Sequence, residues 1–463
     1  MPSLLGLDDI DHIHFIGIGG ISMSALATIL LKRGWQVTGS DLNQTHLTDR
    51  LVKAGARVYS NHQAANVHGA DVIVYTSAVQ PDNPELVEGR RLGIPIFTRA
   101  ELLGALMAEA QYGIAVAGSH GKTSTTAMIG LVLEHAQRNP TVLVGGELEA
   151  INGNVKVGNG EFLVAEACEY FDSFLALRPF IGVILNIDRD HLDYFRDLEH
   201  IKQTFRHFAE LIPADGALVA FIDDANVRSI LPDLPCQVIT YGTDPAAEWR
   251  VDNIQLTPGG STFQVYHHGM PIGSFGLRIP GRHNVLNALS AIAVCHKAGL
   301  SLPQIAHGLQ RYHGLQRRFD MLGYYHGATI YDDYAHHPTE ISAALAAART
   351  YRPERTICVF QPHTYTRTKA LMQEFAHAFN EADMVIITDI YAARERDTYG
   401  VNSTQLVEQM QRIHPRALHI GSLDDAAAFL RQELRPGDLL ITMGAGDVYR
   451  VGRMLLAEQR QAL

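Results

Sequence analysis

Several residue types are scarce in this sequence, and each scarcity excludes something. The 463 positions hold four cysteines, two tryptophans and 19 prolines, and charged side chains make up only 19%. The cysteines, at 168, 236, 295 and 358, form no CxxC pair. Such scattered thiols build neither a disulfide framework nor a zinc ribbon, and they suit a reducing compartment. There is no basic surplus: 38 Lys and Arg face 49 Asp and Glu, a net charge of −11. A surface that neutralises nucleic-acid phosphates is basic, so no nucleic-acid partner is expected, although local basic pockets for small anions stay open. With 46% apolar residues the chain is not disordered, and its 40 glycines without a three-residue period are not collagen.

Long apolar runs are missing too, except that His12 to Leu31 contains no Asp, Glu, Lys or Arg over a membrane-helix length. That stretch holds Gly17, Gly19, Gly20, Ser22, Ser24 and two histidines, and it lacks the basic start of a signal peptide. A buried strand, a glycine turn and a helix explain it better. The expectation is a cytoplasmic protein without membrane insertion.

Short apolar runs alternate with helical stretches almost throughout, which predicts α/β architecture with mainly parallel sheets. The length suggests about three domains, drawn at 1–108, 109–313 and 314–463. The first opens with a strand, the turn Gly17-Ile18-Gly19-Gly20 and a helix, as a Rossmann-like domain does. The second restarts with an apolar strand, a glycine loop and a helix, as a P-loop ATPase-like domain does. Within it, period-two alternation from Val238 to Ile279 suggests a small antiparallel sheet flanking the parallel one. The third, with strands near 328, 356, 384 and 438, reads as a second Rossmann-like unit.

Gly118-Ser119-His120-Gly121-Lys122-Thr123, followed by Ser124, lies between a strand and a helix. Glycines let backbone N–H groups wrap phosphates, the helix start adds positive potential, Lys122 can reach terminal phosphates, and the Thr123 hydroxyl can reach Mg2+. Val116 stands where the usual pattern has its first glycine, so the loop is a shortened variant. Glu166 ends an apolar strand beside this loop, a place from which a carboxylate can hold Mg2+; alone, such a residue is more often a solvated terminus. His191, in Asp188-Arg189-Asp190-His191-Leu192-Asp193, follows the strand Ile181–Ile187 as a metal ligand, a substrate contact or an ordinary loop histidine. Asp41, two residues past the second strand, is an acid near a ribose if the Gly17–Gly20 turn holds a diphosphate. In the third block, 332–340 and 361–368 are polar loops directly after strands, and the adjacent His336 and His337 do not by themselves make a zinc site.

Together these residues resemble the Mur ligase family, the ATP-dependent amide-forming enzymes of bacterial peptidoglycan synthesis, over nearly the whole chain. The shortened phosphate loop is similar to the family's own. His283-Asn284-Val285-Leu286-Asn287-Ala288 resembles its adenine-side motif, and Arg317-Arg318-Phe319 the stretch leading into its C-terminal domain. The opening His14-Phe15-Ile16-Gly17-Ile18-Gly19-Gly20-Ile21-Ser22-Met23-Ser24 is similar to that of the member adding the first amino acid. The resemblance therefore implies three small-molecule substrates, ATP, UDP-N-acetylmuramate and L-alanine, with Mg2+ as the metal. It implies ATP contacts from Gly118, Ser119, His120, Gly121, Lys122, Thr123, Ser124, Asn284 and Asn287. Metal ligation falls to Thr123, Glu166 and His191, and UDP-sugar binding to Gly17, Gly19, Gly20, Ile21, Ser22, Asp41 and Ser77. Tyr334, His363 and Arg367 lie toward the amino acid, Lys122 and Arg318 neutralise charge, and His336 is a candidate base. Two positions depart from the family pattern. Arg206 stands where many relatives have a carbamylated lysine, and Thr364 where some alanine-adding relatives have arginine. Three competing readings stay open: a family member recycling intact peptides, an oxidoreductase built on the first block, and a P-loop switch with a protein partner.

Overall fold

The computed structural model describes residues 10–397 and 399–462. Their strands form three sheets. In the first, five parallel strands lie in the order Arg57–Tyr59, Gln36–Ser40, His12–Ile16, Val72–Tyr75, Ile96–Thr98. The uncharged stretch supplies its centre: Ile13, Phe15 and Ile16 have no solvent exposure, as a strand covered on both faces requires. The chain then turns through Gly17 (φ 82°) into the helix Ile21–Lys32, which buries Met23, Leu26, Ile29 and Leu30. Among the described residues, no helix is long and apolar enough to cross a membrane.

The second sheet has ten strands, Met270–Leu277, Gly260–His267, Trp249–Thr257, Gln237–Gly242, Ala217–Phe221, Ile181–Ile184, Tyr112–Ala117, Phe162–Glu166, Thr141–Leu148, Gly153–Lys156. The antiparallel strands of 249–277 extend this sheet rather than flanking it as a separate one. Trp249 and Arg250 pair in parallel with Tyr241 and Gly242 before the hairpins begin. Period-two alternation reports a half-exposed strand and does not say which neighbour it joins. The strand expected to reach Ile187 stops at Ile184, because Asn186 leaves the ladder to hold the glycine loop. Its carboxamide accepts from His120 N at 2.8 Å and donates to His120 O at 3.1 Å.

The third sheet runs Asp320–Tyr325, Ala328–Asp333, Leu439–Met443, Thr356–Phe360, Met384–Ile387, Ala417–His419. Only the edge strand Asp320–Tyr325 is antiparallel. All three sheets are thus open and mainly parallel, an architecture that gathers polar loops at the carboxyl ends of its strands.

Candidate active site

Two glycines shape the loop after the strand Tyr112–Ala117. Gly118 has φ 143°, and a Cβ there would stand 2.9 Å from the Leu185 Cβ; Gly121 has φ 85°, and its Cβ would stand 2.7 Å from Asn287 Oδ1. Larger residues would be strained at both places. Gly121 precedes the helix Lys122–His135, whose first turn has no side-chain cap. Its unpartnered amides and the helix dipole therefore favour an anion.

Lys122, at the head of this helix, is only 16% exposed, and Nζ lies 3.0 Å from Glu169 Oε2. It also donates to the carbonyls of Gly118 and Ser119. Burial opposes its charge, but Glu169 more than compensates, so the pKa rises and the ammonium stays protonated. Glu169 was missed in the sequence, where it looks like part of a solvated loop. The available signal was a second carboxylate three residues after Glu166.

Glu166 ends its strand with Oε1 accepting the Gly145 N–H at 2.5 Å. A Cβ on Gly145 would lie 2.7 Å from that oxygen, and one on Gly146 would lie 3.5 Å from Thr123 Cγ2. A bare Gly145-Gly146 backbone thus runs against both Glu166 and Thr123, whose oxygens suit a hard cation. His191 sits elsewhere. Its ring stacks on Tyr170 at 4.4 Å, and Nε2 is 3.9 Å from Glu169 Oε1. Arg206 turns away, bonding Glu210 and the carbonyls of Ile230 and Pro232.

Between the second and third sheets lies a cavity of about 520 Å³. Gly121, Thr123 and Ser124 line one side, Asn284, Asn287 and Tyr312 another, and Arg318, Asp333 and Glu340 the third. The volume suits a nucleotide-sized ligand. Burial pushes His283 down to about 4 and Asp333 up to about 6. The guanidinium of Arg318 lies 5.2 Å from the Tyr334 ring and 4.0 Å from Glu340. Lys122, Glu166 and His191 are outside this lining.

His120 joins the two domains that form the cavity. Nε2 meets Asp188 at 3.1 Å and Nδ1 meets Glu340 at 3.2 Å. Asp188 also accepts from the Thr339 hydroxyl at 2.7 Å, and the His337 Nε2–H donates to the Arg189 carbonyl at 3.2 Å. Burial alone would lower the His120 pKa, but the two carboxylates raise it to about 9 from an ordinary 6.5. The sign follows from linkage: a raised folded-state pKa gives stability that is full below 6.5 and lost as pH climbs through 9. We expect the thermal midpoint of the ligand-free protein to fall across that interval, by more than in His120→Gln. Parallel pH profiles for the two proteins would refute this role. The two values correspond to on the order of 3 kcal/mol.

In the third domain, Arg317 and Arg318 both lie over the Tyr334 ring, at 4.8 and 5.2 Å. Arg367, placed by resemblance near an amino acid, has its guanidinium bonded to Asp190 Oδ1 at 2.7 and 3.1 Å and to the His363 carbonyl at 2.7 Å. Burial, reinforced by Arg367, lowers His363 to about 4. Burial likewise takes His336 down to about 3, with Arg367 adding to the fall against the pull of Glu340. A base that weak removes little of an ammonium proton. Thr364 donates to Glu395 at 2.7 Å, so a carboxylate partner occupies the neighbourhood of the absent arginine.

In the first domain, Asp41 braces the glycine turn: Oδ2 accepts from Gly19 N and Oδ1 from Asn43 N, both at 2.9 Å. Gly20 caps the following helix without a side-chain bond, leaving its first amides open. Ile21 offers its carbonyl to Asn154 of the second domain, Ser22 is half-buried beside it, and Ser77 is exposed in the loop after Tyr75.

Three family models cover the chain in succession. "Mur ligase family, catalytic domain" matches residues 12–111, "Mur ligase middle domain" 116–295, and "Mur ligase, glutamate ligase domain" 317–446. The UDP-N-acetylmuramate–L-alanine ligase of Alkaliphilus metalliredigens is 51% identical over 97% of this chain and 97% of its own length. That of Caldanaerobacter subterraneus is 48% identical over 99% of this chain and all of its own. The crystal structure of the UDP-N-acetylmuramate–alanine ligase from Thermotoga maritima superposes with a TM-score of 0.82 at 28% identity, covering 98% of this chain and all of the other.

Proposed function

The chain belongs to the Mur ligase family, and from that membership and the interdomain cavity we propose that it is an ATP-dependent ligase joining L-alanine to the lactyl carboxylate of UDP-N-acetylmuramate. The observation that carries this reading is the full-length identity to relatives of that activity, together with a nucleotide-sized cavity closed by an arginine from the third domain. Family membership removes the oxidoreductase and the protein-partnered switch as alternatives.

The chemistry follows from a poor electrophile. A carboxylate would have to expel oxide, so one of its oxygens first attacks the γ-phosphorus of ATP, and ADP leaves. The resulting acyl phosphate has a good leaving group. The neutral amine of alanine attacks its carbonyl carbon, inorganic phosphate departs and an amide remains. Positioning and charge neutralisation dominate such a sequence. Lys122 and the open amides of its helix are assigned to the phosphates, Asn284 and Asn287 to the adenine side, and Arg318 to the charge that develops between the domains. The Gly17–Gly20 turn, with Ile21, Ser22 and Ser77 around it, is assigned to the UDP-sugar, and Asp41 to shaping that turn. Tyr334 and His363 are assigned to the amino-acid side, and Arg367 is reassigned to domain docking. His336, made a weak base by burial, is given no role as a base.

Thr123 and Glu166, which both pack against Gly145-Gly146, fit Mg2+ as oxygen ligands, while His191 lies beside Glu169. Bound there, Mg2+ would neutralise phosphate charge. Glu166→Ala should therefore raise the Mg2+ concentration for half-maximal rate by about tenfold or more. An unchanged Mg2+ titration would remove Glu166 from the ligand set.

The assignment is tested by supplying ATP and UDP-N-acetylmuramate with either L-alanine or an intact tripeptide and measuring phosphate release. Release with alanine is expected; release only with the tripeptide would mean a recycling ligase instead.

A further inference from the structure

On the second domain, far from the cavity, two histidines and a glutamate converge. Glu248 precedes the strand Trp249–Thr257, His267 ends Gly260–His267, and His268 follows in the turn. Glu248 Oε1 lies 3.3 Å from His267 Nε2 and 3.6 Å from His268 Nε2. One ligand atom from each residue falls within 4.8 Å of the other two. We propose that Glu248, His267 and His268 form a binding site for a divalent transition-metal ion of the zinc class.

The distances carry the chemistry. Zinc bonds of about 2.0–2.1 Å in tetrahedral directions set neighbouring ligand atoms about 3.3 Å apart. The two Glu248–histidine separations match that edge, so an ion can enter with small side-chain adjustments. A set of two imidazoles and one carboxylate is borderline-soft, unlike the all-oxygen sets that magnesium selects. The alternative is a surface carboxylate accepting hydrogen bonds from two histidines.

The framework around the three residues favours a built site. His268 N donates to Glu248 O at 2.8 Å, and Glu248 N donates to Thr240 Oγ1 at 2.9 Å. Trp249 pairs with His267 across the antiparallel ladder, and its buried indole stacks on that imidazole at 4.1 Å and 26°. Rings fixed by packing and backbone are the condition for a preorganised ligand set. His268, 64% exposed, leaves the site open to solvent for entry. His296, near the end of the helix Arg282–Lys297, places its ring 5.4 Å from that of His267. A water supplies the fourth position.

The site is separate from the ligase centre. His283, which lines the cavity, and His296 are thirteen residues apart on one helix, about 20 Å at 1.5 Å per residue. An ion here would tie the head of one strand to the turn after the next, clamping the outer hairpin. Binding uses the Nε2 lone pairs, so the imidazole protons sit on Nδ1.

The test uses the full-length protein, stripped with chelator, free of Mg2+, and titrated with Co2+ at pH 7.5 by visible absorption. Wild type should take up one equivalent more than His267→Ala/His268→Ala, with the intense bands of a four-coordinate ion. The double variant should keep its ligase activity, which establishes that it is folded. Glu248→Gln, which preserves shape, should weaken Co2+ binding by about tenfold or more. Equal uptake and equal spectra for wild type and the double variant, or no uptake by either, would overturn the proposal. Ions held elsewhere, for example by His120, Asp188 and His337, appear in both proteins and cancel in the comparison.

Discussion

Lys122→Ala should abolish ligation, lowering kcat/KM by about a thousandfold or more, because it removes a preorganised positive charge from the transferring phosphoryl group. The same substitution should also destabilise the second domain. Glu169 is 2% exposed and has Lys122 as its cationic partner at 3.0 Å. Removing one member of a buried pair strands the other, at a typical cost of about 3–5 kcal/mol. Adding Glu169→Gln should therefore restore most of the lost thermal stability and none of the activity. Melting curves and phosphate-release assays on the single and double variants separate the two roles. Wild-type turnover in Lys122→Ala would refute the assignment of the loop, and an undiminished melting temperature would refute the counter-ion role.

The second large effect concerns Asp190 and Arg367, which are 7% and 11% exposed and join the second and third domains at 2.7 Å. Asp190→Ala should release the third domain from its docked position. Misplacing Arg318 and the amino-acid loops by an ångström or so would lower kcat/KM by about a hundredfold. Arg367→Ala should do the same, and the double variant should be little worse than either, since one interaction is lost in all three. A direct contact between Arg367 and alanine predicts otherwise: Arg367→Ala alone would raise the KM for alanine, with Asp190→Ala near normal. Kinetics with alanine varied at saturating ATP distinguish the two.

The features legible in the sequence are those encoded by neighbouring residues. Tyr112–Ala117, the positive-φ glycines 118 and 121 and the helix after Lys122 form one continuous segment, so pattern and turn chemistry suffice to read it. The uncharged stretch of 12–31 is similar: its glycines and serines distinguish a strand–turn–helix from a membrane span without knowledge of any partner. Length and the repeated strand–turn–helix starts suggested the three-domain plan, and the family resemblance, carried by several such segments in order, agrees with it.

What the fold alone decided are relations between distant positions. Glu169 reads as a loop residue until burial makes it the counter-ion of a lysine 47 residues away. Gly145 and Gly146 are unremarkable until the strand carrying them is laid against Glu166 and Thr123. Arg367 gains a buried partner across the domains because Asp190, 177 residues earlier, is brought against it. Glu248 and His267 meet because a hairpin sets their strands in register. Local φ/ψ preference, capping and hydrophobic period act over a few residues, so a sequence displays them directly. Desolvation and charge pairing act through space, and which groups they act between is known only once the chain has closed on itself.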